Sequence, residues 1–233
     1  MKLFLALLLI STLSLQAEPA VSNDRTVSLF DGKTLAGWQG NPKLWRISAG
    51  VISGGSLSEK VAHNDFLVSE RSYQNFDLRL KIKLSGTEGF INSGVQIRSV
   101  RLPGSTEMSG YQIDAGDQWW GKLYDESRRK KVIGEPADPE AVNRAIKKDD
   151  WNEFRIRAEG PRIQTWINGV PALDYTEADP TIPQDGYLGL QIHGGGKALA
   201  EFKDLTIEEL APTAGAPTWS KAEPAAKPAA PAP

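Results

Sequence analysis

The sequence predicts an all-β fold, a two-sheet antiparallel sandwich of jelly-roll type, on three observations. Short runs rich in β-branched and aromatic residues recur along most of the chain, apolar residues within them alternate at period two, and Gly, Pro, Asn and Asp sit between them at turn positions. Ten or more such strands suit two packed sheets. TVSLF at 26–30 opens the series, followed by FLVS from Phe66, FDLRLKIKL from Phe76 and SGVQIRS from Ser93. GYQIDAG from Gly110 and GKLYDE from Gly121 come next, then the single helical candidate, Pro139 to Lys147. In WNEFRIRAEGPRIQTWING, Phe154, Ile156 and Ala158 alternate with charged residues, and Ile163, Thr165 and Ile167 alternate with Arg162, Gln164 and Trp166. That is a framework hairpin, with turns at Glu159-Gly160-Pro161 and Asn168-Gly169. GYLGLQIHG from Gly186 and AEFKDLTIEEL from Ala200 complete the set. Trp38, Trp45 and Trp151 are expected to pack rather than to serve as ligand platforms.

The two ends differ from this pattern. Lys2, the apolar stretch Leu3–Leu15 and Ala17 read as a signal peptide over residues 1–17, too short to span a bilayer, which takes about 20 apolar residues. An exported protein, periplasmic or extracellular, is expected. Residues 211–233 hold nine Ala and six Pro, which predicts a disordered tail and confines the folded domain to 18–210.

Composition excludes several function classes. With 27 Lys+Arg against 29 Asp+Glu the net charge is −2, so the basic footprint of a nucleic-acid binder is missing. The chain has no cysteine and two histidines, which removes disulfides, thiolate nucleophiles, Cys-ligated zinc and three-His zinc sites.

The alternation carries an unusual outer face. If Val95 and Ile97 point inward, Gln96 and Arg98 point outward; Tyr111 and Ile113 likewise leave Gln112 and Asp114, and Leu190 and Ile192 leave Gln191 and His193. Leu123 inward sets Tyr124 and Glu126 on the same polar side. Brought together, these side chains form a floor of amides, carboxylates, a guanidinium and an imidazole, with Trp119 and Trp120 at the rim. Such a floor suits a sugar: the polar groups bond hydroxyls and an indole stacks on the apolar face of a pyranose. A solvated sheet of cross-strand polar pairs is the bland alternative.

The strings LFDGKTLAGW, NSGVQIRS, GYQIDAGDQWWGKLYDESRR, WNEFRIRAEGPRIQTWINGV and GYLGLQIHGGG, spread from about Val27 to Leu210, resemble the 3-keto-disaccharide hydrolase domain. The resemblance implies a concanavalin A-like lectin/glucanase sandwich and cleavage of a glycosidic bond next to a sugar already oxidised at C3. A C3 ketone acidifies the C2 proton, so a base can remove it, the group at C1 leaves by β-elimination, and water adds to the enone. On that reading Arg98 is the electrophile, His193 or Asp114 the base and Glu126 the acid, while Gln96, Gln112, Gln191, Tyr124, Trp119 and Trp120 bind substrate. A partner sugar 3-oxidoreductase would supply the ketone. No cofactor is expected; a divalent metal on Asp114, Glu126 and His193 is the alternative to Arg98. A lectin-like module and a two-carboxylate glycosidase on Asp114 and Glu126 are the rival functions. His63-Asn64-Asp65 is a candidate site loop, and the basic run Arg128–Lys131 is read as a solvated hairpin end.

Overall fold

A computed structural model describes residues 25–220; the expected signal peptide and residues 221–233 lie outside the described residues. The elements run β1 (Thr26–Ser28), β2 (Trp38–Gln39), β3 (Trp45–Ser48), β4 (Val51–Gly55), β5 (Asp65–Tyr73), β6 (Phe76–Gly89), β7 (Asn92–Arg101) and β8 (Met108–Gly116). They continue with β9 (Leu123–Glu126), β10 (Lys131–Gly134), α1 (Pro139–Ala145), β11 (Asn152–Glu159), β12 (Arg162–Ile167), β13 (Val170–Thr176), β14 (Gly186–Ile192) and β15 (Gly196–Glu209). Two antiparallel sheets form. One has the order β13-β12-β11-β6-β15-β4-β3, with β1 also paired to β15; the other has the order β10-β9-β8-β7-β14-β5-β2.

Period-two alternation builds the layer between the sheets. Phe76, Leu78, Leu80 and Ile82 of β6 and Phe154 and Ile156 of β11 meet Val95 and Ile97 of β7, Ile113 of β8 and Leu190 and Ile192 of β14 in one buried cluster. Each such side chain contributes about 1.5–3 kcal/mol by leaving water. The β11–β12 hairpin has the expected register, with Phe154 opposite Ile167 and Ala158 opposite Ile163. Asn168 and Gly169 that follow both have positive φ, 50° and 81°, the geometry that favours an Asn-Gly pair in a tight β-turn. Asp138 caps the helix by accepting from the Ala141 N–H at 2.9 Å, with Pro139 in the first turn, where its missing N–H costs nothing.

The sequence reading did not single out β2, β3, β4, β10 or β13, which are short or carry Gly and Pro. Pro171 is tolerated in β13 because that strand is a sheet edge.

The expected tail needs correction. Residues 211–220 are docked on the sandwich: Asn75 Nδ2 donates to Ala211 O at 2.7 Å, Gln184 N to Pro217 O at 2.9 Å, and the Trp219 indole N–H to Arg98 O at 3.0 Å. Composition misled because a proline-stiffened extended segment needs little apolar surface of its own when neighbouring loops supply donors for its carbonyls.

Candidate functional site

The site lies on the face of the seven-stranded sheet turned away from the core. Register aligns Tyr124, Gln112, Gln96 and Gly189 in one row across β9, β8, β7 and β14, and Asp114, Gly94 and Gln191 in the next. Glu126 pairs with Gly110 on the far side of the first row, and His193 follows β14 beside Asn92 beyond the second. Along the strands Asp114 therefore sits between His193 and Glu126. Two glycines leave room in this floor: a Cβ on Gly94 would lie 2.8 Å from the Gln112 side chain and 2.9 Å from the Ile113 backbone oxygen, and one on Gly189 would lie 2.5 Å from Met108 Sδ, which would have to shift.

Gln112, Asp114, Trp119, Tyr124, Glu126 and His193, all expected from the sequence, line one cavity of about 250 Å³. Asn64, Phe90 and Asn92 complete its wall. Phe90 is 41% exposed and meets the His193 ring at 4.7 Å and the Trp119 ring edge-to-face at 6.4 Å, while Trp119 meets Tyr124 at 6.3 Å. The result is a polar floor under an aromatic rim, small enough to hold one sugar ring.

A directed hydrogen-bond chain fixes Asp114. Ser99 Oγ donates to Gln96 Oε1 at 2.6 Å, Gln96 Nε2 to Gln112 Oε1 at 3.2 Å, and Gln112 Nε2 to Asp114 Oδ1 at 2.7 Å. Ionised, or protonated on Oδ2, Asp114 presents Oδ1 as an acceptor, so the Gln112 amide faces it nitrogen first and Gln96 follows. Its Oδ2 is buried without a protein partner. Burial pushes the Asp114 pKa up to about 8; the Gln112 bond opposes that rise, and the Glu126 charge adds to it. Burial, followed by the Glu107 charge, raises Glu126 to about 7. Tyr124 is raised by burial and then by Glu126 and Asp114. His193 Nδ1 lies 2.6 Å from Gly194 O, which can only accept, so Nδ1 carries the proton and Nε2 is the basic atom of the neutral ring.

Four expected site residues stand elsewhere. Arg98 is 1% exposed and turned away from the cavity: Nε donates to Gln74 O at 2.8 Å, one Nη to Gly160 O at 2.6 Å and the other to Asn75 Oδ1 at 2.9 Å. The cause is a bulge, with Arg98 at φ 49° and the β7–β8 register shifting between Ile97 and Val100, which inverts the alternation that set Arg98 beside Gln96. Gln96 faces the right way but lies beneath Gln112, where it orients another side chain rather than a ligand. Gln191 is fully buried, its amide without a protein partner, beside the Phe66–Val68–Met108 cluster that fills this end of the face. Trp120 packs edge-to-face on Phe154 at 6.1 Å and lines a different cavity.

Among the described residues no group of three or more His, Asp or Glu stands together as a set of metal ligands. The basic run is solvated only at Lys130 and Lys131; its two arginines turn inward. Arg128 bonds buried Asp125 at 2.9 Å and stacks 4.5 Å over Tyr111, while Arg129 pairs with Asp125 and with Glu177. His63 is exposed, yet its neighbour Asn64 reaches the cavity, where Asn64 Oδ1 accepts from Gly194 N at 2.9 Å. Phe90 and Asn92 were missed because they flank a hairpin turn; an aromatic set between glycines in EGFINSG was the one available signal.

The family model described as a 3-keto-alpha-glucoside-1,2-lyase-like domain matches residues 25–208. A 3-keto-disaccharide hydrolase of Bacteroides thetaiotaomicron is 24% identical over 174 residues, 66% of this chain and 60% of that protein, so the chain spans about three-fifths of that relative's length. A Parabacteroides distasonis protein of known structure, provisionally described as a glycosyl hydrolase, matches with TM-score 0.60 at 20% identity, over 80% of this chain and 94% of that one. A carbohydrate-binding module from Bacillus subtilis matches with TM-score 0.56 at 20% identity, over 74% of this chain and 96% of that one. Both structures share the sandwich fold. Among the described residues no helix is long and apolar enough to cross a membrane.

Proposed function

The chain belongs to the 3-keto-alpha-glucoside-1,2-lyase-like family, and from that premise we propose that it cleaves 3-keto glycosides by elimination followed by hydration. One observation carries the reading: two carboxyl groups with raised pKa, Asp114 at about 8 and Glu126 at about 7, share a small cavity with hydroxyl-binding amides and an aromatic rim. Such a pair holds one proton near neutral pH; the reactive form is its less populated tautomer, with the proton on Glu126 and Asp114 ionised, since Asp114 has the higher pKa of the two.

The roles follow from the order of the groups along the strands. Elimination involves the C3 oxygen, the C2 proton and the C1 oxygen in sequence, and Asp114 is the middle group. The ionised Asp114 carboxylate, at the cavity floor, takes the C2 proton from the ring face; the electron pair delocalises onto the C3 oxygen as an enolate. The Asn92 amide stabilises that oxygen in place of Arg98, which is committed elsewhere. The enolate then reforms the C3 carbonyl as a C1–C2 double bond forms, the C1–O bond breaks, and Glu126 protonates the departing oxygen. In hydration Glu126, now a carboxylate, takes a proton from the water that adds at C1, and Asp114 returns its proton to C2. The net change is hydrolysis of one glycosidic bond. His193 Nε2 accepts a substrate hydroxyl hydrogen and orients the ring. The signal-like residues 1–17 support action outside the cytoplasm, with a separate sugar 3-oxidoreductase as the source of the ketone.

The test is to incubate the protein with 3-keto disaccharides and their unoxidised parents and to follow released sugars by mass spectrometry. Cleavage of the ketones alone is expected. Cleavage of the parents would replace elimination with two-carboxylate hydrolysis, and binding without cleavage would make the protein a lectin.

A further inference from the structure

A second cavity, of about 680 Å³ against about 250 Å³ for the first, is not used by this chemistry. It lies between the β6–β7 turn, the β8–β9 connection and the end of α1, and Phe90 lines both cavities. Consecutive tryptophans serve the two sides. Trp119 lines the first cavity and Trp120 the second, and their turn is pinned because both backbone N–H groups donate to Gly116 O, at 2.9 and 3.1 Å. Trp120 is braced on core Phe154, so its indole is a fixed surface. Leu84, Ile91 and Ile146 add apolar wall, and Asn143 and Lys148 stand at an exposed polar edge.

We propose that this cavity is a second substrate subsite, which receives a flat unit with one apolar face, a sugar or an aromatic ring, covalently joined to the ketosugar. The proposal rests on the reading of the first cavity as the reaction site. A cavity of 250 Å³ takes a single ring, whereas a disaccharide or aryl glycoside has two, so the second must lie outside it. The adjoining space has the aromatic wall and polar edge that such a ring needs. Two attachments could reach it: the group leaving C1, or a substituent on the far side of the ketosugar, for which O6 is the representative position.

Three probes separate these: methyl 3-keto-α-glucoside, phenyl 3-keto-α-glucoside, and methyl 3-keto-α-glucoside bearing a benzyl ether at O6. Asn143→Trp, and separately Lys148→Trp, fill the cavity from exposed positions outside the catalytic groups. Each is expected to raise KM about tenfold for one of the two extended probes, leaving kcat and the methyl compound within about twofold. The probe affected names the attachment. Equal changes for all three probes, or none, would overturn the subsite. If the wild type cleaves none of them, the elimination reading falls instead, and the subsite is then judged by NMR titration with phenyl α-glucoside. A shift of the Trp120 indole resonance in the wild type that is lost in Asn143→Trp supports the subsite; no shift overturns it.

Discussion

Replacing Asp114 by Asn should stabilise the protein, and by an amount that grows with pH. The native fold raises this carboxyl from 3.8 to about 8 through burial, so the folded state holds a proton that the unfolded chain releases. A raised acid pKa gives stability that is full below the unfolded value and is lost as pH climbs to the folded one; here the window is about pH 4 to 8. Each pH unit inside it costs about 1.4 kcal/mol, so the penalty is about 2 kcal/mol at pH 5 and about 5 kcal/mol at pH 8, constant above. Asn escapes it while its Oδ1 still accepts from Gln112 Nε2. Its Nδ2 replaces an oxygen that already lacks a protein partner, which adds an offset of about 1–3 kcal/mol that does not depend on pH. The slope is thus the clean observable. Urea unfolding of both proteins at pH 5, 6, 7, 8 and 9 should show the gap widening by about 1.4 kcal/mol per unit up to pH 8 and then levelling. A gap that stays constant across the series would refute the buried, proton-holding Asp114 and the acid–base role built on it.

Three further outcomes are expected. Since the reactive form carries one proton shared between Asp114 and Glu126, kcat/KM on a 3-keto glycoside should be bell-shaped with limbs near 7 and 8; a profile flat from pH 6 to 9 would exclude the pair. Glu126→Gln should abolish turnover while moving the Tm by no more than a few degrees, and a large loss of stability would make the residue structural. Arg98→Met removes donors to two backbone carbonyls and Asn75, and should cost about 3–5 kcal/mol, a Tm drop of about 10 °C, with kcat near wild type in the folded fraction; the opposite pattern would return Arg98 to the chemistry.

Most of the fold was legible because one rule, alternation at period two, governs β5 to β9, β11, β12, β14 and β15. The same rule collected five cavity residues, Gln112, Asp114, Tyr124 and Glu126 on two strands and His193 just past the end of β14, while Trp119 was read from the adjoining loop. It failed where its premise failed. At Arg98 a left-handed residue changes the parity of the strand, and nothing in VQIRSV marks the bulge in advance. Gln191 has the right parity but sits where Phe66, Val68 and Met108 occupy the face, a contact between segments far apart in the chain. Phe90 lies in the β6–β7 turn and Asn92 is the first residue of β7, where no preceding alternation marks them, whereas Asn64 sits in the loop His63-Asn64-Asp65 that the sequence did offer. Residues 211–220 are held by hydrogen bonds to loops, and composition does not record such partners.

The chain from Ser99 through Gln96 and Gln112 to Asp114 also bears on how this site can change through descent. Each member has its donor and acceptor set by the next, so replacing one by an apolar residue strands its neighbours in a buried place. The two amides are therefore constrained together with Asp114. A lineage that kept the sandwich but abandoned proton transfer would be free to replace Gln96 and Gln112 together with Asp114, whereas Ser99 keeps a second acceptor in Ile97 O at 2.8 Å and need not follow them.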